Sequence, residues 1–241
     1  MNLNENPIKM KLQGPLVLKT VVNSCIFLTP DGIKQIVVGH RITENFSTVV
    51  KFHKHSAPQN GIDLEPNEWA EFISRQSDID DYFQKGTPRP NLMLGSVSRC
   101  LEFKVLYNKR SIIISETVPP HCCYPRQIIV QENAWNYLKS VISVIDSRVE
   151  KCLNNEKKLK KLFDDICSYL STRCSYFDEK TVSQILSELN PSDISNHSFS
   201  AEEFVCIFRE LKNSCFNLIV NLTLESKIGF NFKYNYSKWI K

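Results

Sequence analysis

The chain has 241 residues, with 30 Lys and Arg against 26 Asp and Glu, and it contains nine cysteines and only seven glycines. A chain of this length forms one large domain or two smaller ones and buries about 70% of its unfolded surface, so its core requires neither disulfides nor a metal. The net charge of +4 excludes a strongly basic arm that clamps duplex DNA, and the few glycines argue against a Gly-rich nucleotide-binding loop. Any nucleic-acid site must therefore depend on the local placement of a few cations.

We find no sequence signal for secretion or for a membrane span. Lys9, Lys11 and Lys19 interrupt the N-terminal segment, which lacks the apolar stretch of a signal peptide. No run approaches the ~20 apolar residues that cross a bilayer. We therefore expect an intracellular protein whose cysteines are reduced. The abundance of Asn, Lys and Ile is typical of an AT-rich genome, such as that of a virus or a parasite.

The first part of the chain contains an internal repeat. Residues 61–83 align without gaps on residues 127–149, and seven of the 23 positions are identical. Both segments begin with a short extended stretch and then carry apolar residues at a spacing of three to four, which predicts a helix in each. Pro66 suits the first turn of the first helix, because a residue there needs no N–H donor. The identical pairs are Ile62/Ile128, Asn67/Asn133, Trp69/Trp135, Ser74/Ser140, Ser77/Ser143, Ile79/Ile145 and Asp80/Asp146.

The repeat extends upstream when the two loops are allowed to differ in length. Residues 35–55 and 99–118 each predict a hairpin of two β-rich strands, with polar turns at Glu44–Asn45 and at Asn108–Lys109. One curved sheet with one helix cannot cover both of its faces alone, so we expect the two units to pack together as an intrachain pseudo-dimer. The predicted fold class is α+β, with two tandem units of curved antiparallel sheet plus one helix, followed by a mainly helical C-terminal region.

The strand-to-helix segment of the first unit carries a specific resemblance. Gly61-Ile62-Asp63-Leu64-Glu65-Pro66-Asn67-Glu68-Trp69, followed by Ser77–Asp81, resembles the signature Gly-Ile-x-Leu-x-Pro-x-x-Trp with a later Ile-Asp. This is the signature of the positive cofactor four family of transcriptional coactivators. The second copy keeps the Trp and the Ile-Asp, but it has Gln127 in place of the Gly and Glu132 in place of the Pro.

The resemblance covers residues 35–153 and implies a fold of four curved antiparallel strands and one helix, normally dimeric. Dimers of the family bind single-stranded or unwound DNA along concave β-surfaces without sequence preference, and here the two subunits would be fused in one chain. We therefore assign residues 1–153 to a tandem-repeat nucleic-acid-binding domain, with repeat one at 35–86 and repeat two at 92–153. Residues 154–241 form a mainly helical region with a terminal strand.

A site for single strands needs cations spaced along a groove and exposed aromatic faces on which bases stack. Alternate residues of a strand share one face, so one sheet can supply both. The candidates in the first copy are Arg41, Lys51, His53 and His55. The candidates in the second copy are Arg99, Phe103, Lys104, Tyr107, Lys109, Arg110 and Arg126.

The resemblance adds a role for some of these candidates. Arg41 and Lys104 lie near the strand Arg of the family, and Tyr107 with Lys109 and Arg110 matches its Phe-Lys-Gly-Lys turn. The first copy has no Lys in its turn and has Glu44 instead, so we expect it to bind weakly or to serve as part of the frame.

A plainer interpretation competes with each of these candidates. Exposed strands also carry Lys and Arg for solubility and to block edge pairing. Trp69 and Trp135 each begin the apolar stripe of a helix, so we expect them in the core rather than as stacking platforms. The first helix is too acidic to lie on phosphates. Its early carboxylates suit a helix N-terminus, and its Ile-Asp pair suggests packing or capping.

The C-terminal region predicts several helices and a strand. The basic segment 154–161 either extends the second repeat's helix or forms a solvated charged face, and the apolar stripe from Leu159 to Leu170 predicts a helix. Residues 179–189 predict another, with Asp178 as its cap, and Ser200 begins a capping box for a long helix. Alternation over 228–236 predicts a strand. A partner-binding role, an oligomerisation surface and extra nucleic-acid contacts stay open for this region, the last through Lys157, Lys158, Lys160, Lys161, Tyr234 and Tyr236.

Sequence motifs for enzymatic chemistry are missing. We find no nucleotide-binding loop, zinc-protease pair or nucleophile elbow. Adjacent cysteines such as Cys122 and Cys123 do not both reach one tetrahedral ion, so we expect no zinc, and we expect no other cofactor. The resemblance explains Asp78, Asp80 and Asp81 better than a nuclease magnesium site does.

Together these observations predict a non-enzymatic protein that binds single-stranded DNA without sequence preference during transcription or replication, in the nucleus rather than the cytoplasm. RNA as the ligand, further homodimerisation, and partners in the transcription or replication machinery that contact the C-terminal region stay open. The alternative is a protein–protein interaction or scaffold module that keeps the fold without binding nucleic acid. A nuclease is a third and weaker alternative.

Overall fold

The chain folds into two four-stranded antiparallel sheets, each followed by helical structure, and a mainly helical C-terminal region. The structure, a computed structural model, confirms the predicted α+β class with its two antiparallel sheets and mainly helical C-terminal region. The structure describes residues 20–95, 99–116, 126–174, 179–195 and 198–226, and within these it does not describe the side chains of 58–60 and 220–226.

The first sheet has the strand order β1 (Thr20–Phe27), β2 (Lys34–Arg41), β3 (Ser47–Lys54) and β4 (Ala57–Leu64). β2 and β3 pair without interruption, from Lys34 opposite Lys54 to Arg41 opposite Ser47. The first predicted hairpin is therefore confirmed. A 3-10 turn, Ile42–Glu44, leads into Asn45, whose φ of 54° lies in the left-handed region that Asn tolerates better than most residues.

Two short helices follow the first sheet: α1 (Pro66–Ser74) and α2 (Gln76–Lys85). Pro66 begins α1 as expected. The backbone N–H of Glu65 donates to Glu68 Oε2 at 2.9 Å, which completes a capping box. α2 ends at Gly86, which has a φ of 70° and stops the helix in the left-handed conformation.

The second sheet repeats the order of the first, with β5 (Leu92–Leu94), β6 (Arg99–Leu106), β7 (Lys109–Glu116) and β8 (Gln127–Gln131). β6 and β7 pair without interruption from Arg99 opposite Glu116 to Leu106 opposite Lys109. Tyr107 and Asn108 form the two-residue turn with φ values of 51° and 59°. Two successive positive φ angles are typical of the tight turns that match the twist of a hairpin.

The C-terminal region begins inside the long helix α3 (Glu132–Arg173), and it continues with α4 (Glu179–Glu188), a 3-10 turn (Pro191–Asp193) and α5 (Ala201–Ser226). α3 passes without a break through the position between 153 and 154 where we placed the domain boundary. Ser200 caps α5 as predicted, because its Oγ accepts a hydrogen bond from the N–H of Glu203 at 3.2 Å. The predicted cap Asp178 and the strand at 228–236 lie outside the described residues.

The first hydrophobic core joins the inner faces of both sheets to α1, α2 and the first half of α3. Trp69 and Trp135 are both buried in it, as expected from their positions on the two helices. Each indole N–H crosses to the other repeat. Trp69 Nε1 donates to Asp146 Oδ1 and Trp135 Nε1 donates to Asp80 Oδ1, both at 2.7 Å. Buried indoles need such an acceptor.

The second core contains the rest of α3 together with α4 and α5, and it includes Val21 of β1 and Phe46 of the first hairpin. Phe46 meets Phe163 edge to face, with ring centroids 5.3 Å apart. Glu156 Oε1 accepts the backbone N–H of Thr48 at 2.7 Å. α3 therefore covers the tip of the first hairpin. Of the helices described, none has the length and the apolar character that crossing a membrane requires.

Candidate nucleic-acid interface

The tip of the second hairpin projects into solvent. Tyr107 is 89% exposed and Val105 is 64% exposed, although both are large apolar side chains. The tight turn supports Tyr107 on two fully paired strands, so the sheet sets the position of its backbone. An exposed aromatic ring on a paired hairpin is available for stacking.

The two hairpins differ in exposure because the helices after the two sheets differ in length. α2 ends at Lys85, which aligns with Lys151, whereas α3 continues from Lys151 to Arg173. The extension packs against β2 and β3 and brings Phe163 onto Phe46. α2 stops before it reaches the corresponding part of the second hairpin, which therefore stays open.

Lys104 and Lys109 are the cations beside Tyr107. Both are exposed. Lys104 forms an ion pair with Glu102 on its own strand. Lys109 makes no ion pair within the described part of the chain. A surface ion pair is worth about 0–1 kcal/mol, so it does not prevent Lys104 from contacting a phosphate.

Arg110, also predicted to contact nucleic acid, is held by the end of α2. Its guanidinium donates a hydrogen bond to the carbonyl oxygen of Phe83. It also lies against Gly86, where a Cβ atom would come within 2.8 Å of Arg110 Cζ. A cation at a helix C-terminus is favourable. The structure therefore gives Arg110 a capping contact.

Arg99 and Arg126 share one acidic partner. Arg99 Nη2 lies 3.4 Å from Glu116 Oε1, and Arg99 Nε donates to the carbonyl oxygen of Asp63 at 3.0 Å. Arg126 Nε donates to Glu116 Oε2 at 2.7 Å, and its Nη2 contacts the other oxygen. The hydrogen bond to Glu116 raises the pKa of Arg126. Two guanidinium groups on one carboxylate leave a net positive charge at this edge of the sheet.

Phe103 lies on the core side of its strand. It packs edge to face on Tyr82, with ring centroids 5.1 Å apart, and it borders the first core. The structure therefore places Phe103 in packing rather than at an open stacking position.

Three of the four candidates in the first copy, Arg41, Lys51 and His53, are buried, so the structure does not present them on an open strand face. Arg41 Nε and Lys51 Nζ lie 3.3 Å and 4.0 Å from the carboxylate oxygens of Asp63. His53 is 7% exposed, and burial lowers its pKa. Alternation along the strand specified the shared face correctly. It could not specify the close approach of β4, where a Cβ at Gly61 would lie 2.8 Å from His53 Cβ.

A cationic pair that the sequence patterns did not indicate lies at the other end of this hairpin. Lys34 and Lys54 stand directly opposite each other in the β2–β3 register. Burial, and secondarily the charge of Lys54, lowers the pKa of Lys34. The predicted candidate His55 is exposed beside them, and its Nδ1 lies 3.0 Å from Gln35 Nε2. Like charges opposite each other are destabilising unless an anion lies between them. The exact register of the hairpin would have revealed this pair.

The acidic residues of α2 make internal contacts. Asp78 and Asp81 each accept a hydrogen bond from Arg89 at 3.0 Å. Asp80 accepts from Trp135 and from Lys139, both at 2.7 Å. In the described ranges, His, Cys, Asp and Glu form no group of three or more that could hold a metal. Cys122 and Cys123 lie outside those ranges.

Comparison of the chain with protein-family models and with curated proteins returns no match.

Proposed function

We propose that the protein binds single-stranded DNA without sequence preference, with the open tip of the second hairpin as the principal contact. The observation that carries this proposal is the combination of Tyr107, 89% exposed, with the exposed cations Lys104 and Lys109 on the same hairpin. Bases would stack on the tyrosine ring while the lysines contact phosphates. Every base has a stacking face, so such a surface does not select sequence.

The proposed frame for this surface is an intrachain pseudo-dimer of the two repeats. Its support is the reciprocal contact in which the Trp of each repeat donates to the Asp of the other, at 2.7 Å in both directions. Exchange of equivalent contacts is the property of a two-fold interface. The resemblance of residues 35–153 to the positive cofactor four family points to the same arrangement and to transcription or replication, where duplexes open, in the nucleus.

The test is the binding of a labelled DNA strand of about 20 nucleotides, longer than a typical single-strand footprint, measured by fluorescence anisotropy over a range of salt. We expect single strands to bind more tightly than duplex. Lys104→Glu and Lys109→Glu should weaken binding, and each should lower the slope of log K against log salt by about 0.7 if its lysine contacts one phosphate.

Lys180→Glu is the matched control, because it makes the same charge change at an exposed lysine of α4. It should leave the slope unchanged. Equal competition by duplex, or equal effects of all three reversals, contradicts the proposal. A parallel titration with RNA of the same sequence determines whether the site distinguishes the two nucleic acids.

The scaffold alternative has one observation in its favour: the helical region already covers the first hairpin through Phe163 and Glu156. A fold that uses one hairpin for internal packing could use the other for a protein partner. Absence of strand binding at low salt would favour this alternative, with the second hairpin as its contact surface.

A further inference from the structure

A cavity of about 780 Å³ lies between the loop that joins β1 to β2 and the first two turns of α3. Its volume falls within the ~300–1,000 Å³ range of small-molecule sites. Phe27 and Tyr137 line it and are 54% and 47% exposed. Its polar lining residues include Asp31, Asn133 and Asn136.

At the corresponding place in the other repeat, Gly95 lies directly on the helix. Tyr137 aligns with Glu71, and Glu71 Oε2 accepts the backbone N–H of Gly95 at 2.7 Å. Gly95 also lies so close to α1 that a Cβ there would come within 2.7 Å of Glu68 Cγ. Gly95, at the end of β5, is therefore docked on α1. In the second repeat, Tyr137 stands at the position of Glu71 and offers no carboxylate acceptor. The cavity lies at this position.

Cations flank the cavity on two sides. Ser111 pairs with Gln131, so Lys109 lies at the end of the second sheet where α3 begins. On the other side, the lining loop closes directly onto β2: Leu28 N–H donates to the carbonyl oxygen of Lys34 at 2.7 Å. The Lys34–Lys54 pair therefore follows the loop immediately. A phosphate backbone that joins the two cationic positions would pass the mouth of the cavity.

We propose that this cavity receives an unstacked nucleobase of the bound single strand, with the flanking phosphates on Lys109 and on the Lys34–Lys54 pair. This inference rests on the proposed function and adds a site that the hairpin alone does not provide. The faces of Phe27 and Tyr137 supply apolar contact, and the amides of Asn133 and Asn136 both donate and accept hydrogen bonds, as base edges require.

The charge of the wall favours a base over a phosphate. The Asp31 carboxylate accepts the hydroxyl of Thr29 at 2.5 Å and the backbone N–H of Ile33 at 3.0 Å, and these hydrogen bonds lower the pKa of Asp31. A carboxylate held ionised repels phosphate but accepts the exocyclic amine of a base. The anionic backbone therefore stays on the lysines outside while the base enters.

The test compares two strands of equal length and charge, an oligodeoxycytidylate, whose bases carry an exocyclic amine, and the same strand with abasic sites at every position. We expect the wild type to bind the base-bearing strand more tightly. Tyr137→Leu should lower the affinity for that strand by about fivefold or more, which corresponds to the loss of one stacked base. The affinity for the abasic strand and the salt slope should not change, and Tyr137→Phe should retain the wild-type affinity.

Tyr169→Leu is the matched control, since Tyr169 lies on the same helix beneath Arg173 and outside the cavity. Phe27→Leu is a second variant in the cavity wall, which keeps the inference testable if Tyr137→Leu lowers stability. Strand binding that Tyr137→Leu and Phe27→Leu leave unchanged, or equal weakening of both strands, overturns the cavity site but leaves the proposed function intact. Failure of the wild type to bind either strand overturns both.

Discussion

One buried carboxylate organises the charged residues of the first repeat. Asp63 is 6% exposed and lies within 3.3 Å of Arg41 Nε and 4.0 Å of Lys51 Nζ. Removing one partner from such a buried ion pair costs more stability than removing one from a surface ion pair, because the remaining charge stays in a region of low dielectric. Arg41 and Lys51, which are basic in the sequence, thus serve in structure, whereas Lys104 and Lys109 of the second hairpin are exposed.

His40 should make stability depend on pH. It is completely buried, its Nδ1 lies 3.0 Å from the carbonyl oxygen of Phe46, and its Nε2 has no hydrogen-bond partner among the described residues. Burial lowers the pKa of His40, so the unfolded chain, with a His pKa of ~6.5, binds the proton more readily. The stabilisation is complete above pH ~6.5 and decreases as pH falls toward the folded pKa, by up to about 1.4 kcal/mol per pH unit.

Urea unfolding at several pH values between neutral and mildly acidic measures this dependence. His40→Gln should reduce the fall in unfolding free energy on acidification, while His55→Gln, at an exposed position, should retain it. His53 is also buried with a lowered pKa, so a smaller dependence should remain in His40→Gln. An identical pH dependence in His40→Gln and the wild type would contradict the assignment.

The end of α2 decides the exposure of the second hairpin. Gly86 stops the helix, and Arg110 of β7 lies against it and bonds the carbonyl oxygen of Phe83. This contact joins the helix to the sheet at the base of the hairpin and leaves Tyr107 beyond it in solvent. The corresponding helix of the other repeat, α3, has no such stop and continues over the first hairpin.

Comparison of Gly86→Ala with Gly32→Ala separates the cost of backbone strain from the cost of disturbing the Arg110 contact. Both glycines have φ near +70°, so an alanine costs about 1–2 kcal/mol at either. A Cβ at Gly86 also approaches Arg110 within 2.8 Å, whereas at Gly32 the nearest atoms are 3.5 Å away. Gly86→Ala should therefore lower the free energy of unfolding by about 1 kcal/mol more, the net value of the Arg110 hydrogen bond. Equal losses in urea unfolding would show that Arg110 moves without cost.

At the scale of the molecule, α3 joins the two hydrophobic cores. Its first half contributes Trp135, Leu138 and Ile145 to the core between the sheets, and its second half contributes Leu162 and Ile166 to the helical core. One unbroken helix belongs to both cores, so unfolding of one core would expose and fray the helix that the other core requires. We therefore expect both cores to unfold in one transition.

Asn154→Pro tests this coupling, because Asn154 is exposed at the middle of α3. Proline in a helix interior costs about 3 kcal/mol or more. We expect calorimetry to show two transitions in place of one, with the helical core melting first. Asn154→Ala is the control and should keep a single transition at or above the wild-type midpoint. A single unchanged transition in the proline variant would mean that α3 does not couple the cores.

Patterns that depend on neighbours in the sequence predicted much of this fold. The two hairpins, the start of α1 at Pro66, the burial of both tryptophans and the Ser200 cap all follow from alternation, helical spacing and end chemistry, which act within a few residues. The same local patterns predicted a turn at Asn108–Lys109, and the structure has it one residue earlier, at Tyr107–Asn108, with Tyr107 and Lys109 exposed.

What the tertiary structure alone decided is which of two similar hairpins stays open and which basic residues remain on a surface. The burial of Arg41, Lys51 and His53 depends on the approach of β4 and the position of Asp63. The cover over Phe46 depends on how far α3 extends, and the Lys34–Lys54 pair depends on an exact register. These are distances between segments far apart in the chain, which periodicity cannot encode because it specifies the face of an element and not what packs on it.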